Sequence, residues 1–530
     1  MGFSLLQYRD DASAHFFKKI PAFPFFIAIL FVVSMILGTL HNTQPYTFHP
    51  DEPGKVRQIF SHQWNFHHPQ LLLSTTRVAM KIADTFSHNG HKHKWNSQEV
   101  VELGRTVNAI FFALTACSVA IGFWLLRGTI WGMSAGIMVG ICPPLVLRAH
   151  FMKEDPAMIL GFGVMWLGFA LLNRKSTVWA GVVIGLGMGL AIAGKYIGLA
   201  VGVMGSVAIL AYPGWKNTTD RLNAAFLGMA MAVTIWAGAD FEAILHWHDF
   251  LNGFTKEFAH SQHYHVGFYV PWYEFYFLRV IFIEAGHWAC GLAMLGYCWA
   301  FYQRKKLLYA EWLMLIWPIA FYILLMFSKI GVQRYVLPVT IGLYAIAGWT
   351  IAEISMWFIR QKLRTWTGVC VGMILGSIVL FEAAGQLQQM YYAMAHDSRH
   401  RLETFMESLD KGAFVLAEIY TRYEPHKGER VGHKVRLAMQ ATAKGSVEEL
   451  QEQGYTHVII CSFMYARYFL PGMEDAKEMA ETDQLLRERY RVLLEEYEPI
   501  WDSGQAFWVV TPVNPEIKVY DLRAMKKKVL

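Results

Sequence analysis

Charged residues are scarce in this sequence. Asp, Glu, Lys and Arg make up 17% of the 530 residues, whereas a soluble globular chain carries about 25%. Hydrophobic residues reach 54% and the mean hydropathy is +0.27. So few polar groups do not cover the surface of a soluble protein of this size. The composition therefore excludes a soluble enzyme, a disordered chain and a fibrous repeat, and it predicts a polytopic α-helical membrane protein.

Cysteine and net charge are also low. Five of the six cysteines lie in apolar runs and Cys461 stands alone in the polar C-terminal part, so no disulfide framework is predicted. A net charge of +6 is too small to indicate a nucleic-acid-binding surface, and we predict no nucleic-acid partner. No cleavage site follows the apolar stretch 21–40, which we interpret as a retained first span and targeting signal.

Long apolar runs recur up to about residue 385. We place about 11 transmembrane helices, near 21–40, 104–126, 129–147, 156–173, 177–194, 197–212, 222–239, 276–302, 308–328, 335–358 and 365–385. With a cytoplasmic N-terminus, every short basic connection falls on one side, at Arg127, Arg174 with Lys175, Lys216 with Arg221, 304–306 and 360–364. This agreement with the positive-inside rule predicts a multi-pass protein of the cytoplasmic (inner) membrane. A single kinked helix over 177–212 would reverse the downstream topology, so we predict two short helices meeting at Lys195.

The same topology places the long segments outside. The transmembrane module 1–385 has outer loops at 41–103 and 240–275, and 386–530 forms a soluble periplasmic α/β domain. In this tail, 412–420 and 457–463 are rich in β-forming residues, and 447–453 and 475–496 have helical spacing. The segment 507–511 is predicted as a late strand.

Two acidic points lie where the chain meets the outer membrane surface. They are His49-Pro50-Asp51-Glu52-Pro53, just past the first span, and Lys153-Glu154-Asp155-Pro156, at the fourth. A carboxylate in such a place suits general-base work on a hydroxyl or amine. Helix capping is the alternative interpretation, because Asp is common at N-caps and a proline follows at both points. Two carboxylates at one surface also suit a polar substrate or a divalent cation.

Two cations at this surface are exceptions to the positive-inside rule. Lys195 lies at the turn between two short spans, and Arg334 lies at the outer mouth of the tenth span. Ionisable residues at membrane depth are costly unless they are paired, and they mark function. The planar guanidinium of Arg binds phosphate through two N–H donors, whereas the ammonium of Lys binds it as a point charge. The combination predicts a lipid-phosphate substrate; for Lys195 alone, a snorkelling side chain is the alternative.

Four segments together resemble the GT-C superfamily of polyprenyl-phosphate-sugar-dependent glycosyltransferases. They are the His-Pro-Asp-Glu run at 49–52, the segment from His150 to Asp155-Pro156, the stretch from Gly181 to Gly194-Lys195-Tyr196, and Gln333-Arg334-Tyr335-Val336-Leu337-Pro338. In particular the chain resembles bacterial family 39, related to protein O-mannosyltransferases and to the aminoarabinose transferase of lipid A. Pieces of the tail such as Asp397-Ser398-Arg399 resemble these proteins too.

The resemblance implies an inverting hexosyl- or pentosyltransferase that takes its sugar from a polyprenyl-phosphate-linked donor at the extracytoplasmic face. It implies that Asp51 is the catalytic base, with Glu52 as its neighbour or alternative. It also implies that Asp155 organises the sugar or acceptor side and that Arg334 and Lys195 hold the donor phosphate. The acceptor is left open among lipid, glycan and protein. No cofactor is assigned, and Asp51 and Asp155 are the candidate ligands of a divalent cation.

Histidines are frequent in the predicted outer loops: His88, His91 and His93, then His246 and His248, then His260, His263 and His265. These clusters lack cysteine partners, and lysines flank the first of them, so no metal is assigned. We place His68, His150 and His265 in the substrate or acceptor pocket, where imidazoles and aromatic rings suit sugar faces. His68 stands before a proline where members of the family often have an aromatic residue.

The main alternative is a transporter or flippase for a lipid-linked substrate. Such a protein is expected to show paired broken helices at the membrane midplane in two related halves, and the sequence has no such symmetry. A non-catalytic receptor or scaffold is a third interpretation. It leaves the outer carboxylates and cations without a role.

Overall fold

The computed structural model describes residues 22–86, 93–174, 177–263, 277, 280–329, 333–361, 365–470, 473, 479–504 and 513–524. Helices come first in the chain, and only some of them are long and apolar enough to cross a membrane. The helices are α1 (Ala22–Thr39), α2 (Glu52–Ser61), α3 (Leu71–Phe86), α4 (Ser97–Arg127), α5 (Thr129–Gly140), α6 (Pro143–Ala149), α7 (Asp155–Asn173), α8 (Thr177–Gly194), α9 (Leu199–Leu210), α10 (Thr218–Ala239), α11 (Phe241–Leu245), α12 (Trp247–Ser261), α13 (Phe282–Glu284), α14 (His287–Tyr302), α15 (Tyr309–Leu325), α16 (Leu337–Arg360) and α17 (Thr365–Ala395).

The tail combines helices with one sheet. Its elements are α18 (Ser398–Glu407), β1 (Phe414–Glu418), α19 (Pro425–Val431), β2 (Lys434–Ala438), α20 (Val447–Glu452), β3 (His457–Cys461), α21 (Ser462–Tyr465), α22 (Glu481–Glu496), β4 (Trp501–Asp502) and β5 (Ile517–Asp521). The strand order is β2-β1-β3-β5-β4, with β1 parallel to both of its neighbours and β5 antiparallel to β3 and β4. The α/β prediction for the tail is therefore confirmed. The predicted strand at 507–511 lies outside the described residues.

A helix lies at each of the predicted span positions, but these helices differ in length. In the described part of the chain, six are long and apolar enough to cross a membrane, and a seventh forms if α5 and α6, bent by 57°, count as one span. The polytopic helical class is thus confirmed, whereas the count of 11 spans, the orientation and the boundary at 385 stay predictions. The predicted helix pair around Lys195 is also confirmed, since α9 folds back along α8 and brings Gly205 against Met188.

Helix α8 packs by backbone contact on two sides. A Cβ atom on Gly187 would lie 2.5 Å from the Met165 nitrogen of α7, and one on Gly185 would lie 2.1 Å from the Gly228 oxygen of α10. At the C-terminal end of α8, a Cβ on Gly194 would lie 2.4 Å from the Met158 nitrogen. Small residues of this kind let membrane helices approach closely. The close contact brings the residue after Gly194 next to the start of α7.

The tail has a carboxyl group in its core. Glu418, at the end of β1, is fully buried and accepts hydrogen bonds from the Ala441 amide (3.1 Å), the Cys461 amide (2.8 Å) and the Tyr490 hydroxyl (2.5 Å). Burial raises the pKa of Glu418 to about 7, and these hydrogen bonds offset only part of that effect. The folded tail therefore holds a proton that the unfolded chain releases at lower pH.

This proton makes the stability of the tail depend on pH. Because the folded pKa is raised, stability is expected to fall as pH rises from about 4.5 to 7, by about 3 kcal/mol in total at roughly 1.4 kcal/mol per unit. We expect Glu418→Gln to remove most of this slope, whereas Glu452→Gln, at an exposed position, keeps it. Pulse proteolysis in urea at pH 5 and pH 8 measures the stability of the tail at each pH, and therefore this slope. Equal urea midpoints at the two pH values in the wild type would contradict the assignment.

Candidate active site

Asp51 stands at the N-cap position of α2, yet its side chain makes no capping hydrogen bond. Its carboxylate oxygen Oδ2 instead lies 2.6 Å from the Lys153 ammonium, and 40% of the side chain is exposed. Its backbone amide is held by Nδ1 of His49 at 3.3 Å. Asp51 is therefore not used as a helix cap, and its carboxylate is held between solvent and a buried lysine.

The charges around Asp51 determine its protonation. Burial raises the pKa of its carboxyl, but the opposing effects of Lys153, His49 and Arg334 hold that pKa well below its usual value. Burial lowers the pKa of His49 well below its usual value, and the nearby cations add to this effect. At neutral pH, Asp51 is accordingly an ionised carboxylate beside a neutral imidazole.

The neighbouring carboxylate has a different environment. Glu52 is completely buried and receives Nε (2.9 Å) and Nη2 (2.6 Å) of Arg105 in a bidentate ion pair. It also accepts the Met152 amide at 2.8 Å. Arg105 lies near the start of α4, where Asn96 and Glu99 form a capping box. All these contacts tie the first outer loop to the bundle, so the carboxylate of Glu52 has no open side.

A second group of charges lies at the start of α7. Asp155 is completely buried, with the Lys195 ammonium 2.6 Å from Oδ1 and the Arg334 Nε 4.0 Å from Oδ2. The Lys195 ammonium also lies 4.3 Å from the centre of the Tyr335 ring. Lys195 thus has a specific partner and is not a snorkelling side chain. No hydrogen-bond partner reaches Arg334 Nε from the part of the chain that the structure describes.

Two further lysines complete the charged group, and sequence reasoning gave them no role. Lys55, in the first turns of α2, forms a buried ion pair with Glu154, and Lys153 lies 3.4 Å from the same carboxylate. We call Lys55, Lys153, Lys195 and Arg334 the cation cluster. The sequence gives a signal for part of this cluster, because three adjacent charged residues, 153–155, lie at the start of an apolar helix.

The three candidate pocket histidines lie in different places. His68 is half-buried at the cation cluster, where burial and then Lys153 lower its pKa well below its usual value. The ring of His150 lies between α6 and α1, with Nδ1 2.8 Å from the Val146 oxygen and Nε2 2.7 Å from the Leu40 oxygen. His150 therefore connects helices and does not reach the cluster. His265 lies outside the described residues.

The two candidate metal ligands, Asp51 and Asp155, both lie beside cations. Asp51 and Asp155 each contact a lysine ammonium, and no three His, Cys, Asp or Glu side chains of the described segments are grouped so that they hold an ion. The chemistry offered by the site is that of one exposed carboxylate facing several fixed cations.

No family model and no curated protein sequence matches the chain. Solved structures match over most of its length. The oligosaccharyltransferase AglB from Archaeoglobus fulgidus, in complex with an inhibitory peptide and a dolichol-phosphate, has a TM-score of 0.56 over 91% of this chain and 80% of its own, at 10% identity. The same organism's enzyme tethered with an acceptor peptide has a TM-score of 0.52 over 92% of this chain and 73% of its own, at 13% identity.

ArnT from Cupriavidus metallidurans, bound to undecaprenyl phosphate, has a TM-score of 0.50 over 94% of this chain and 97% of its own, at 14% identity. These proteins are GT-C glycosyltransferases, and the chain shares their fold. The predicted fold class, a polytopic helical protein with the GT-C fold and a sheet in its tail, is confirmed. At identities this low the likeness establishes the fold alone.

Proposed function

We propose that this protein is a glycosyltransferase that moves a sugar from a polyprenyl-phosphate-linked donor to an acceptor at the extracytoplasmic membrane face. The observation that carries the proposal is the partly exposed Asp51 carboxylate, which lies beside the cation cluster. Such a pairing joins a base to fixed positive charges that stabilise a departing phosphate. The GT-C fold supports it, because AglB and ArnT were solved with dolichol-phosphate and undecaprenyl phosphate.

The net charge of the cluster favours a single phosphate. The four cations face three carboxylates, and the shortest contacts pair Lys55 with Glu154, Lys153 with Asp51, and Lys195 with Asp155. Each pair is neutral overall whichever member holds the proton. Within this set of four cations and three carboxylates, Arg334 leaves one positive charge in excess, which suits the single negative charge of a sugar–phosphate–lipid diester. A diphosphate-linked donor carries about two negative charges and would leave one of them unbalanced.

The proposed reaction is a direct displacement at the anomeric carbon with inversion. The partly exposed carboxylate of Asp51 takes the proton of the acceptor nucleophile while Lys153 holds its Oδ2 atom. The acceptor oxygen or nitrogen forms the new bond as the bond to the donor phosphate breaks. Arg334 and Lys195 receive the developing phosphate charge, and Asp155 keeps both cations oriented. We assign Glu52 a positioning role through Arg105, and His68 a place at the sugar or acceptor side.

The test is sugar transfer by the purified full-length protein in nanodiscs. Hexose and pentose donors linked through polyprenyl monophosphate and diphosphate are supplied with lipid, glycan and peptide acceptors, and released polyprenyl phosphate is measured with and without EDTA. We expect turnover with monophosphate donors only. Tight binding of polyprenyl phosphate without turnover of any donor would instead favour the transporter or flippase.

Lys153 is expected to control the pH dependence of this activity. It lowers the pKa of Asp51, so the wild-type base stays ionised and kcat/KM stays flat down to about pH 5. In Lys153→Met the burial effect prevails, and the acidic limb of the profile moves up by at least one pH unit. The exposed Lys81→Met is the matched control. A profile of Lys153→Met that coincides with the wild type would exclude Lys153 as the partner of the base.

A further inference from the structure

The tail contacts the first outer loop mainly through Arg399, and the His400 ring beside it lies 4.9 Å from the Phe48 ring. Arg399, in the first turn of α18, is almost completely buried and forms a bidentate ion pair with Asp397, with Nε–Oδ1 and Nη2–Oδ2 distances of 2.7 Å each. Its remaining nitrogen, Nη1, donates to the Phe48 carbonyl oxygen at 2.7 Å. Its guanidinium carbon lies 3.9 Å from the centre of the Phe48 ring. One tail residue therefore holds both the backbone and the side chain of Phe48.

The tail in turn fixes this arginine. Asp397 accepts the Asn514 amide at 2.9 Å, and the Asn514 side chain accepts the Ser398 amide at 2.8 Å. The segment around Asn514 leads directly into β5. The orientation of Arg399 thus depends on the folded sheet, because β5 and the start of α18 meet at Asp397.

The loop segment held by Arg399 carries the proposed base. Phe48 precedes Asp51 by three residues, and the intervening His49 holds the Asp51 amide. On the far side of Asp51, Glu52 is bound to Arg105 of α4. The residues 48–52 are therefore held at one end by the tail and at the other by the membrane helices, and Asp51 lies between the two attachments.

We propose that Arg399 is a positioning residue for Asp51 and that the folded tail is part of the catalytic unit. Its kinetic consequence rests on the function proposed above. An attachment at Phe48 fixes the direction from which the Asp51 carboxylate meets an acceptor, and small misplacements of a catalytic group cost much of its effect. The donor phosphate contacts lie elsewhere, at Arg334 and Lys195, so donor binding is not expected to depend on Arg399.

The experiment compares Arg399→Ala with Arg401→Ala in the full chain. Arg401 lies on the same helix and donates to the Ser503 oxygen at 2.9 Å, within the tail. We expect Arg399→Ala to lower kcat by about tenfold with the donor KM within twofold, and Arg399→Lys to recover part of the loss. Arg401→Ala is expected to retain wild-type kcat. Amide hydrogen exchange of residues 48–52 is expected to accelerate in Arg399→Ala alone.

The exchange measurement does not depend on turnover, so it separates this inference from the proposed function. Unchanged exchange at 48–52 in Arg399→Ala overturns the positioning role even if the protein is a glycosyltransferase. An equal loss of kcat in both alanine variants, or a rise in donor KM alone, overturns it as well. If Arg399→Ala does not fold, Phe48→Leu removes the ring contact and keeps the carbonyl. That variant is expected to lower kcat about threefold, and no change overturns the proposal.

Discussion

Asp51→Asn is expected to lower kcat by about 10³-fold while leaving donor affinity within a few-fold. The amide keeps the shape of the side chain but does not accept a proton, and general-base catalysis contributes roughly 10² to 10⁴. Fold and donor contacts are largely kept, because the membrane helices hold Glu52 and Asp155 independently of Asp51. Release of polyprenyl phosphate during sugar transfer in nanodiscs measures the rate, and direct titration with polyprenyl phosphate measures the affinity.

The control for this variant is Asp84→Asn. Asp84 lies in the same outer loop and accepts the Trp95 indole N–H at 3.0 Å, away from the cation cluster. It is expected to keep wild-type turnover. A loss of less than tenfold in Asp51→Asn would exclude Asp51 as the general base and leave the fold and the class of donor unaffected.

Arg334→Met is expected to lower kcat/KM by about 10²-fold, the second-largest effect. Arg334 is the cation that exceeds the three carboxylate pairs, so its removal leaves the cluster without a net charge for the phosphate. Loss of one preorganised donor to a developing anion costs about 10²- to 10³-fold in other enzymes. Arg334→Lys keeps the positive charge but loses the planar pair of N–H donors, and its kcat/KM is expected to be about tenfold lower than that of the wild type. Inhibition by free polyprenyl phosphate is expected to weaken in the same order.

Arg77→Met serves as the matched control, because Arg77 is an arginine of the first outer loop that contacts His62 and Trp64 only at the surface. It is expected to retain wild-type kcat/KM. If Arg334→Met keeps wild-type kinetics and product inhibition, the phosphate is held elsewhere in the cluster, and Lys55 or Lys153 becomes the first candidate.

Asp51, Asp155, Lys195 and Arg334 could be selected from the sequence because of their surroundings. An ionisable residue at the end of an apolar run has few structural explanations, so each of these residues is conspicuous. The structure brings all of them to one end of the helices. Asp155 contacts Lys195 and Arg334, and Asp51 lies within electrostatic reach of Arg334, whereas the catalytic roles of all four stay proposals.

The partners of these residues were not predictable in the same way. Lys153 pairs with Asp51, about a hundred positions away in the sequence. Glu52 pairs with Arg105 and not with the cations closer to it in the sequence. Such choices depend on how helices pack, which a hydropathy pattern does not encode. Strand β2 was missed for another reason: it is an edge strand whose charged Lys434 and Arg436 alternate with half-buried residues, a pattern that masks its β character.

The short helix α9 has a consequence for the lipid around the protein. Its 12 residues rise about 18 Å, less than a hydrocarbon core of about 30 Å, and its exposed positions Leu199, Val203 and Val207 are apolar. Lipids beside a helix this short are expected to shorten or tilt to cover it, which brings their headgroups toward Lys195 at its N-terminal end. The thickness of the bilayer is therefore expected to affect how close a lipid phosphate lies to the site. Turnover is expected to decline in membranes of long, saturated chains, because there the donor phosphate lies farther from the cation cluster.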